Sequence, residues 1–329
     1  MAFPVATGAT TPPVYPAGGS GNTLQATGFI PEIWSGKLIE KFYASTVLAA
    51  ISNTDYESEI KNFGDTVNIR TKPTININTY DADGALALQR PSGNKIQLLI
   101  DHGYYFNTIL DDVMDVQSDL NLLSMWSDDA AEQMKITIDT EVLSYVLGQA
   151  DSANQGTTAG KISGAINLGV TGTPLTLVPT GPTGGQVAIL DCLLRLGQAL
   201  DEQNIPETGR WVVMPAWAAA MLKNSDLRQA YLTGDSVSIL RNGRLGMVDR
   251  FTLYISNLLP THATVPGSLA SGENVFYAGH AHGLTFASQV SKVETLRSEM
   301  TFGTILRGLQ VYGRKVLDGK ALCQAIVTH

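Results

Sequence analysis

Apolar and polar positions alternate from residue 65 to residue 79. Val67, Ile69, Thr71, Pro73, Ile75, Ile77 and Thr79 take one side, and Thr66, Asn68, Arg70, Lys72, Thr74, Asn76, Asn78 and Tyr80 the other. Alternation at period two predicts a half-buried β-strand. At about 3.3 Å per residue it would reach roughly 50 Å, against about 17–20 Å for an ordinary strand. Asp81–Gly84 carries turn chemistry, with Gly84 free to take positive φ. The chain then returns through "ALALQRPSGNKIQLLID", where Pro91 and Gly93 predict an edge or bulged strand. The two limbs form a long ribbon. Two strands alone are marginal in water, so this ribbon must rest on something outside itself.

Elsewhere the period is helical. Ile33, Trp34, Leu38, Phe42, Val47 and Ile51 mark a rough helical face entered at Pro31, which "NTDYE" ends. Residues 111–148 read as one long helix, capped by Asp111 or Asp112 and stopped at Gly148. Its stripe runs through Val113, Val116, Leu120, Leu123, Ala130, Met134, Ile138, Val142 and Val146. That spacing drifts off a strict heptad, which favours a structural spine over a coiled coil. Residues 151–186, with eight glycines and only Asp151 and Lys161 charged, read as a connector. A compact α/β unit follows: a helix in "VAILDCLLRLGQALDEQ", a buried strand in "RWVVMP", a helix from Pro215, an Asn242-Gly243 hairpin, and strands in "FTLYISN" and "NVFYAG". "SQVSKVETLR" reads as a helix, and "TILRGLQVYGRKVL" and "ALCQAIV" as two closing strands.

Composition narrows the functional classes. The 329 residues are 44% hydrophobic and 16% charged, enough for a sizeable core in two or three domains or one elaborated domain. The charge content lies below the usual quarter, as it does in proteins with much surface hidden in contacts. A net charge of −8 gives no bulk attraction to nucleic acid or anionic membrane, and no apolar run reaches the length of a membrane span. Residues 1–31 carry no charge and many prolines and glycines, which predicts an arm with no core of its own; they lack the basic start of a secretory signal. Cys192 and Cys323 sit in apolar contexts, read as buried free thiols of a reducing compartment. Charge is unevenly placed. Residues 111–150 hold nine acids and one base, a net −8, whereas residues 66–95 hold four bases and two acids, a net +2.

Catalytic signals fail one by one. "GTTAGKI" is one residue short of a phosphate loop and lacks its Ser/Thr. His280 and His282 would share a strand face, but no third metal ligand is evident, so two ordinary histidines are the better reading. Asp111-Asp112 and Asp128-Asp129 diverge on a helix and do not converge on a substrate. Arg241 and Arg244 flank a turn, as solubilising charges do. No cofactor and no enzymatic role is expected.

The order of parts and several phrases resemble one family. "FIPEIWSGKLIEKFYAST", "NTDYESEIKNFGDTVNIRTKPTI" and "IDHGYYFNTILDDV", then "GRLGMVDRFTLYISNLLP" and "EMTFGTILRGLQVYGRKVL", are similar to the major capsid proteins of tailed bacteriophages with the Hong Kong 97-type fold. The resemblance covers most of the chain from Phe29 onward and rests on segment order rather than one diagnostic motif. It implies an α+β fold with a flexible N-terminal arm (1–31), an N-terminal helical segment (32–64) and an extended loop made of the long hairpin (65–105). A peripheral domain with spine helix and connector (106–186), an axial domain (187–295) and closing peripheral strands (296–329) would follow. It implies a coat protein that assembles through pentamers and hexamers into an icosahedral shell around double-stranded DNA, made in the bacterial host cytoplasm and residing in the virion capsid. The extended loop would lie across a neighbouring subunit, with Val67, Ile69, Arg70, Lys72, Ile75, Ile77, Arg90 and Lys95 as contact residues. The spine's acidic face, Asp119, Asp128, Asp129 and Glu132, would turn toward the packaged DNA or a neighbour's basic loop. Some relatives carry a long cleaved scaffolding segment. Here only about thirty residues precede the first matching phrase, so a separate scaffolding protein is expected, together with a portal and room for a cement or decoration protein. Lys72 or Lys95 could reach a neighbour, but no motif for covalent cross-linking surrounds them.

Three alternatives stand beside this reading: a bacterial nanocompartment shell of the same fold, a virion fibre or carbohydrate-binding β-protein, and a metal hydrolase using His280 and His282. The long helix and the α/β unit argue against the fibre.

Overall fold

The structure, a computed structural model, describes residues 43–56, 66–73, 75–80, 88–93, 95–117, 121–225, 247–299 and 301–329. The N-terminal arm, residues 32–42 of the expected first helix, the ribbon's tip, Asp119 and the Asn242-Gly243 turn with Arg241 and Arg244 lie outside the described residues. Residues 43–47 of that expected helix are not helical, so that only Leu48–Ile51 is. In chain order the elements are α1 (Leu48–Ile51), β1 (Thr66–Arg70), β2 (Lys95–Leu99), β3 (His102–Asp111), α2 (Asp112–Gln117) and α3 (Leu122–Val146). Then come β4 (Leu175–Val178), β5 (Val187–Ala188), α4 (Ile189–Glu202), β6 (Arg210–Met214), α5 (Ala216–Lys223), β7 (Met247–Val248) and β8 (Phe251–Ile255). The chain ends with β9 (Asn274–His280), β10 (Leu284–Arg297), β11 (Gly303–Val316) and β12 (Leu322–Thr328).

β6 shows why the α/β unit holds together. All five of its residues are buried, because the strand feeds two cores at once. Val212 and Met214 join Phe276, Ala278, Ala325 and the inner faces of α4 and α5 on one side of the sheet. Trp211 and Val213 join Val275, Tyr277 and the spine residues Ile138, Val142, Leu143 and Val146 on the other. Alternate side chains point to opposite faces, so a strand buried on both reads as a continuous apolar run. The sheet has seven strands in the order β5-β4-β12-β9-β6-β8-β7, with parallel and antiparallel pairs mixed. Tyr277 ties the sheet to the spine by donating its hydroxyl to the Leu143 carbonyl at 3.0 Å.

A separate three-stranded antiparallel sheet, β10-β11-β3, continues beyond this unit. Two expectations change here. "SQVSKVETLR" is strand, not helix: β10 pairs with β11 from Leu284↔Val316 to Arg297↔Thr304, through a register shift between Ser288 and Val290. Pairing with β11 across the following turn has overridden a local pattern that suited either state. The closing strands also part company. β11 belongs to the three-stranded sheet, while β12 lies between β4 and β9 in the larger one, and a division at residue 295 would cut through β10.

The single spine expected over 111–148 is also divided. Asp111 ends β3 and its carboxylate accepts from Val113 N at 3.0 Å, starting the short α2. α3 starts afresh, with the Asn121 side chain accepting from Ser124 N at 3.3 Å. Only the second half of α3 is buried.

Candidate assembly interface

The arm keeps its register but loses its ladder. β1 and β2 pair from Thr66↔Leu99 to Arg70↔Lys95, and no strand is assigned beyond them among the described arm residues. The fifteen-residue strand is thus a five-residue strand with an irregular extension. Pro73 and Pro91 are the local cause, since neither has an N–H to donate. The limbs still touch. A Cβ at Gly93 would sit 2.5 Å from the Thr71 carbonyl oxygen, so only glycine fits there. Farther out, Asn76 N donates to Gln89 Oε1 at 3.0 Å, and Gln89 Nε2 donates to Asn76 O at 2.7 Å.

The structure divides the arm's eight candidate contact residues into three groups. Ile69 is buried and Val67 half-buried in the subunit's own third cluster, with Leu98, Ile100 and Ala287, so these two already serve the arm's base. Ile75 and Ile77 are exposed, Ile77 at 91%, as is Leu88 at 98%. Arg70, Lys72, Arg90 and Lys95 are exposed, and none has an ion-pair partner among the described residues.

The three-stranded sheet is covered unevenly. Tyr104 and Tyr312 face the spine and pack with its cluster. On the opposite side, Val311 and Ala287 lie under the arm's base, but Tyr105, Ile109, Leu296 and Leu309 farther along are exposed. The registers Leu309↔Tyr105 and Arg307↔Asn107 put these on one face, crossed by the ion row Lys292–Glu294–Arg307. At the far end α2 and the turn before β11 form a fixed knob. Arg297 grips Asp112 with both guanidinium ends, and Asp112 N donates to Phe302 O at 3.2 Å. Val113, Met114, Val116 and Phe302 stand exposed on it, Val116 at 85%. Sequence reasoning missed this sheet face; the alternation Tyr105, Asn107, Ile109 was the signal for it.

The spine's acid is largely used within the chain. Of the acidic face, Asp128 is exposed, Asp129 accepts from Tyr43 Oη at 2.8 Å, and Glu132 pairs with Lys135 at 2.6 Å. Asp139 is buried and accepts from Val47 N and Leu48 N at 3.0 and 3.1 Å, capping α1. Burial pushes its carboxyl above the ordinary range, and those two N–H groups only partly offset it. Glu141 takes Tyr312 Oη and Arg314 at 2.7 Å, with His102 Nδ1 at 3.5 Å, joining spine to sheet.

The rejected chemistry has structural explanations. The "GTTAGKI" loop does hold an anion, and it is the chain's own: Ile162 N and Ser163 N donate to Glu202 Oε2 at 2.8 and 3.0 Å. Those N–H groups pull the Glu202 carboxyl down to about 2. His280 ends β9 while His282 lies in the following turn and donates its backbone N–H to His280 Nδ1, so the two do not share a strand face. Cys192 and Cys323 are free and buried, and burial pushes the Cys192 thiol up to about 12. Among the described residues no group of three or more His, Cys, Asp or Glu could hold a metal, and no helix is long and apolar enough to cross a membrane.

Comparison with known proteins identifies this arrangement. The profile of the phage capsid protein family matches residues 105–325, two thirds of the chain. A solved structure from Mycobacterium phage Che8 is similar at a TM-score of 0.70 and 25% identity, covering 91% of this chain and 97% of that one. The capsid of cyanophage P-SCSP1u gives 0.70 at 14% identity, covering 98% and 100%. The capsid of a native GTA particle gives 0.65 at 14%, covering 94% and 98%. No curated protein matches. The fold is that of a virus shell subunit, α+β and of the Hong Kong 97 type. The chain belongs to the phage capsid protein family: it is a bacteriophage coat protein with a structural role in the virion capsid.

Proposed function

We propose that this coat protein assembles through pentamers and hexamers into an icosahedral shell around double-stranded DNA, with its arm laid across a neighbouring subunit. The arm carries the reading. Ile75, Ile77 and Leu88 are exposed beside four cations that have no ion-pair partner among the described residues, while the arm's base is packed. Apolar groups left open in the subunit and buried on association supply the main drive for assembly. Assembly takes place in the bacterial host cytoplasm with a separate scaffolding protein and a portal, and the finished lattice has room for a decoration protein. Contact with DNA is weak. The net charge is −8, and the acids remaining on the spine repel phosphate.

Electron microscopy of particles made from the chain, alone and with its scaffolding protein, tests this. Closed shells with pentameric and hexameric clusters are expected, and DNA as the content of particles isolated from infected cells. Unassembled protein under both conditions would overturn the shell reading, and protein cargo in place of DNA would point to a nanocompartment. A titration of unassembled subunits with duplex DNA should show no binding at physiological salt; micromolar affinity with a steep salt dependence would contradict the weak-contact reading.

A further inference from the structure

Six steps beyond the last paired residues, Arg70 and Lys95, the β1–β2 register brings Asn76 opposite Gln89. An antiparallel ladder alternates facing pairs that exchange both backbone N–H···O bonds with facing pairs that exchange none. Here the exchange occurs, but a side chain supplies one half of it: the Gln89 amide accepts from Asn76 N and donates to Asn76 O. A carboxamide has the same donor and acceptor as a peptide group, so it can stand in for the missing backbone partner. Between the two points of contact lie Pro73 and Pro91, which interrupt the ladder. From this geometry we infer that Gln89 is a positioning residue for assembly: its side-chain amide carries the β1–β2 register past the proline break and fixes which residues the outer arm presents together.

Counted on by the same register, Ile77 would face Leu88 and Ile75 would face Arg90, although no strand pairing is assigned there among the described residues. Facing residues of an antiparallel pair project to the same side. Holding that register would gather Ile75, Ile77 and Leu88 into one apolar patch with a cation at its edge, all of them exposed in the subunit. A slip of one residue on one limb would send Leu88 to the opposite side from Ile77. The Gln89 bonds lie outside all three hydrophobic clusters, so their worth is in order before docking rather than in the stability of the fold.

This inference rests on the arm's docking across a neighbour, and the test separates the two. Full-length Gln89→Ala, Gln89→Glu and Ile77→Asp are compared with the natural chain, purified as unassembled subunits. Hydrogen exchange at the Asn76 amide should accelerate about tenfold in Gln89→Ala. Gln89→Glu keeps the acceptor but replaces the donor, and should retain partial protection. The subunit concentration needed for assembly should rise about fivefold in Gln89→Ala, with an unchanged melting temperature. Equal exchange at Asn76 in the natural chain and Gln89→Ala would overturn the inference. So would faster exchange without any change in assembly. If Ile77→Asp fails to assemble while Gln89→Ala assembles normally, arm docking stands and the Gln89 role falls; if both assemble normally, docking itself falls.

Discussion

β6 and β3 are both rich in apolar residues, and they end in opposite conditions. Every residue of β6 is buried between α4 and α5 on one side and the spine on the other. Of the ten residues of β3 only Leu110 is buried, and Tyr105 and Ile109 stand open on the face away from the spine. The same contrast separates the seven-stranded sheet from the arm, where Ile77 and Leu88 have no cover from the described residues. One region is completed by its own sequence. The other has residues of the same kind left over, as a subunit needs if most of its association is to come from apolar burial.

Core truncation should have the largest effect on the folded subunit. Phe276→Ala removes a fully buried ring between α5 and the seven-stranded sheet, and should cost about 3–5 kcal/mol in denaturant unfolding. A loss below about 1 kcal/mol would mean that this region is not the self-sufficient part.

Glu141→Gln tests the joint between the spine and the three-stranded sheet. The change weakens the acceptor of Tyr312 and Arg314, and two Arg314 nitrogens are already buried without hydrogen-bond partners among the described residues. Unfolding should be easier by about 1–3 kcal/mol. An unaffected midpoint would show that packing alone holds the two parts together.

The smallest effect should come from the connector loop. Because two backbone N–H groups hold Glu202 at about 2, below its ordinary 4.5, its contribution is fully present above pH 4.5. It is lost as the pH falls toward 2. The difference in melting temperature between the natural chain and Glu202→Gln should therefore be greatest near neutrality and shrink across that window. A difference independent of pH would mean that the carboxylate is not what closes the loop.

How legible each region was followed the same division. α4, α5, β6, β9 and β12 were readable because each is buried by its own chain, which stamps a period or a continuous apolar run on the sequence. β10 was misread because Val290, Val293 and Leu296 recur at a helical spacing, whereas its pairing partner β11 lies a turn away in sequence and pairs along its whole length. The β-branched Val290, Val293 and Thr295 were the counter-signal. On the arm, period two ran through Val67, Ile69, Ile75 and Ile77 alike, and nothing in it showed that the first two pack at home and the last two stand open. The spine's charge was visible in the sequence, whereas the burial of Asp139 under α1 and the engagement of Glu141 by the sheet depend on partners about 90 and 170 residues away.

If the arm's outer apolar residues belong to assembly and not to the fold, Ile77→Asp will separate the two. The measurement pairs a melting curve of unassembled subunits with sedimentation of the assembly reaction. A melting temperature matching the natural chain and no closed shells are expected, because a carboxylate buried against a neighbour without a partner costs several kcal/mol. Normal shells from Ile77→Asp, or a subunit that no longer folds, would contradict that assignment.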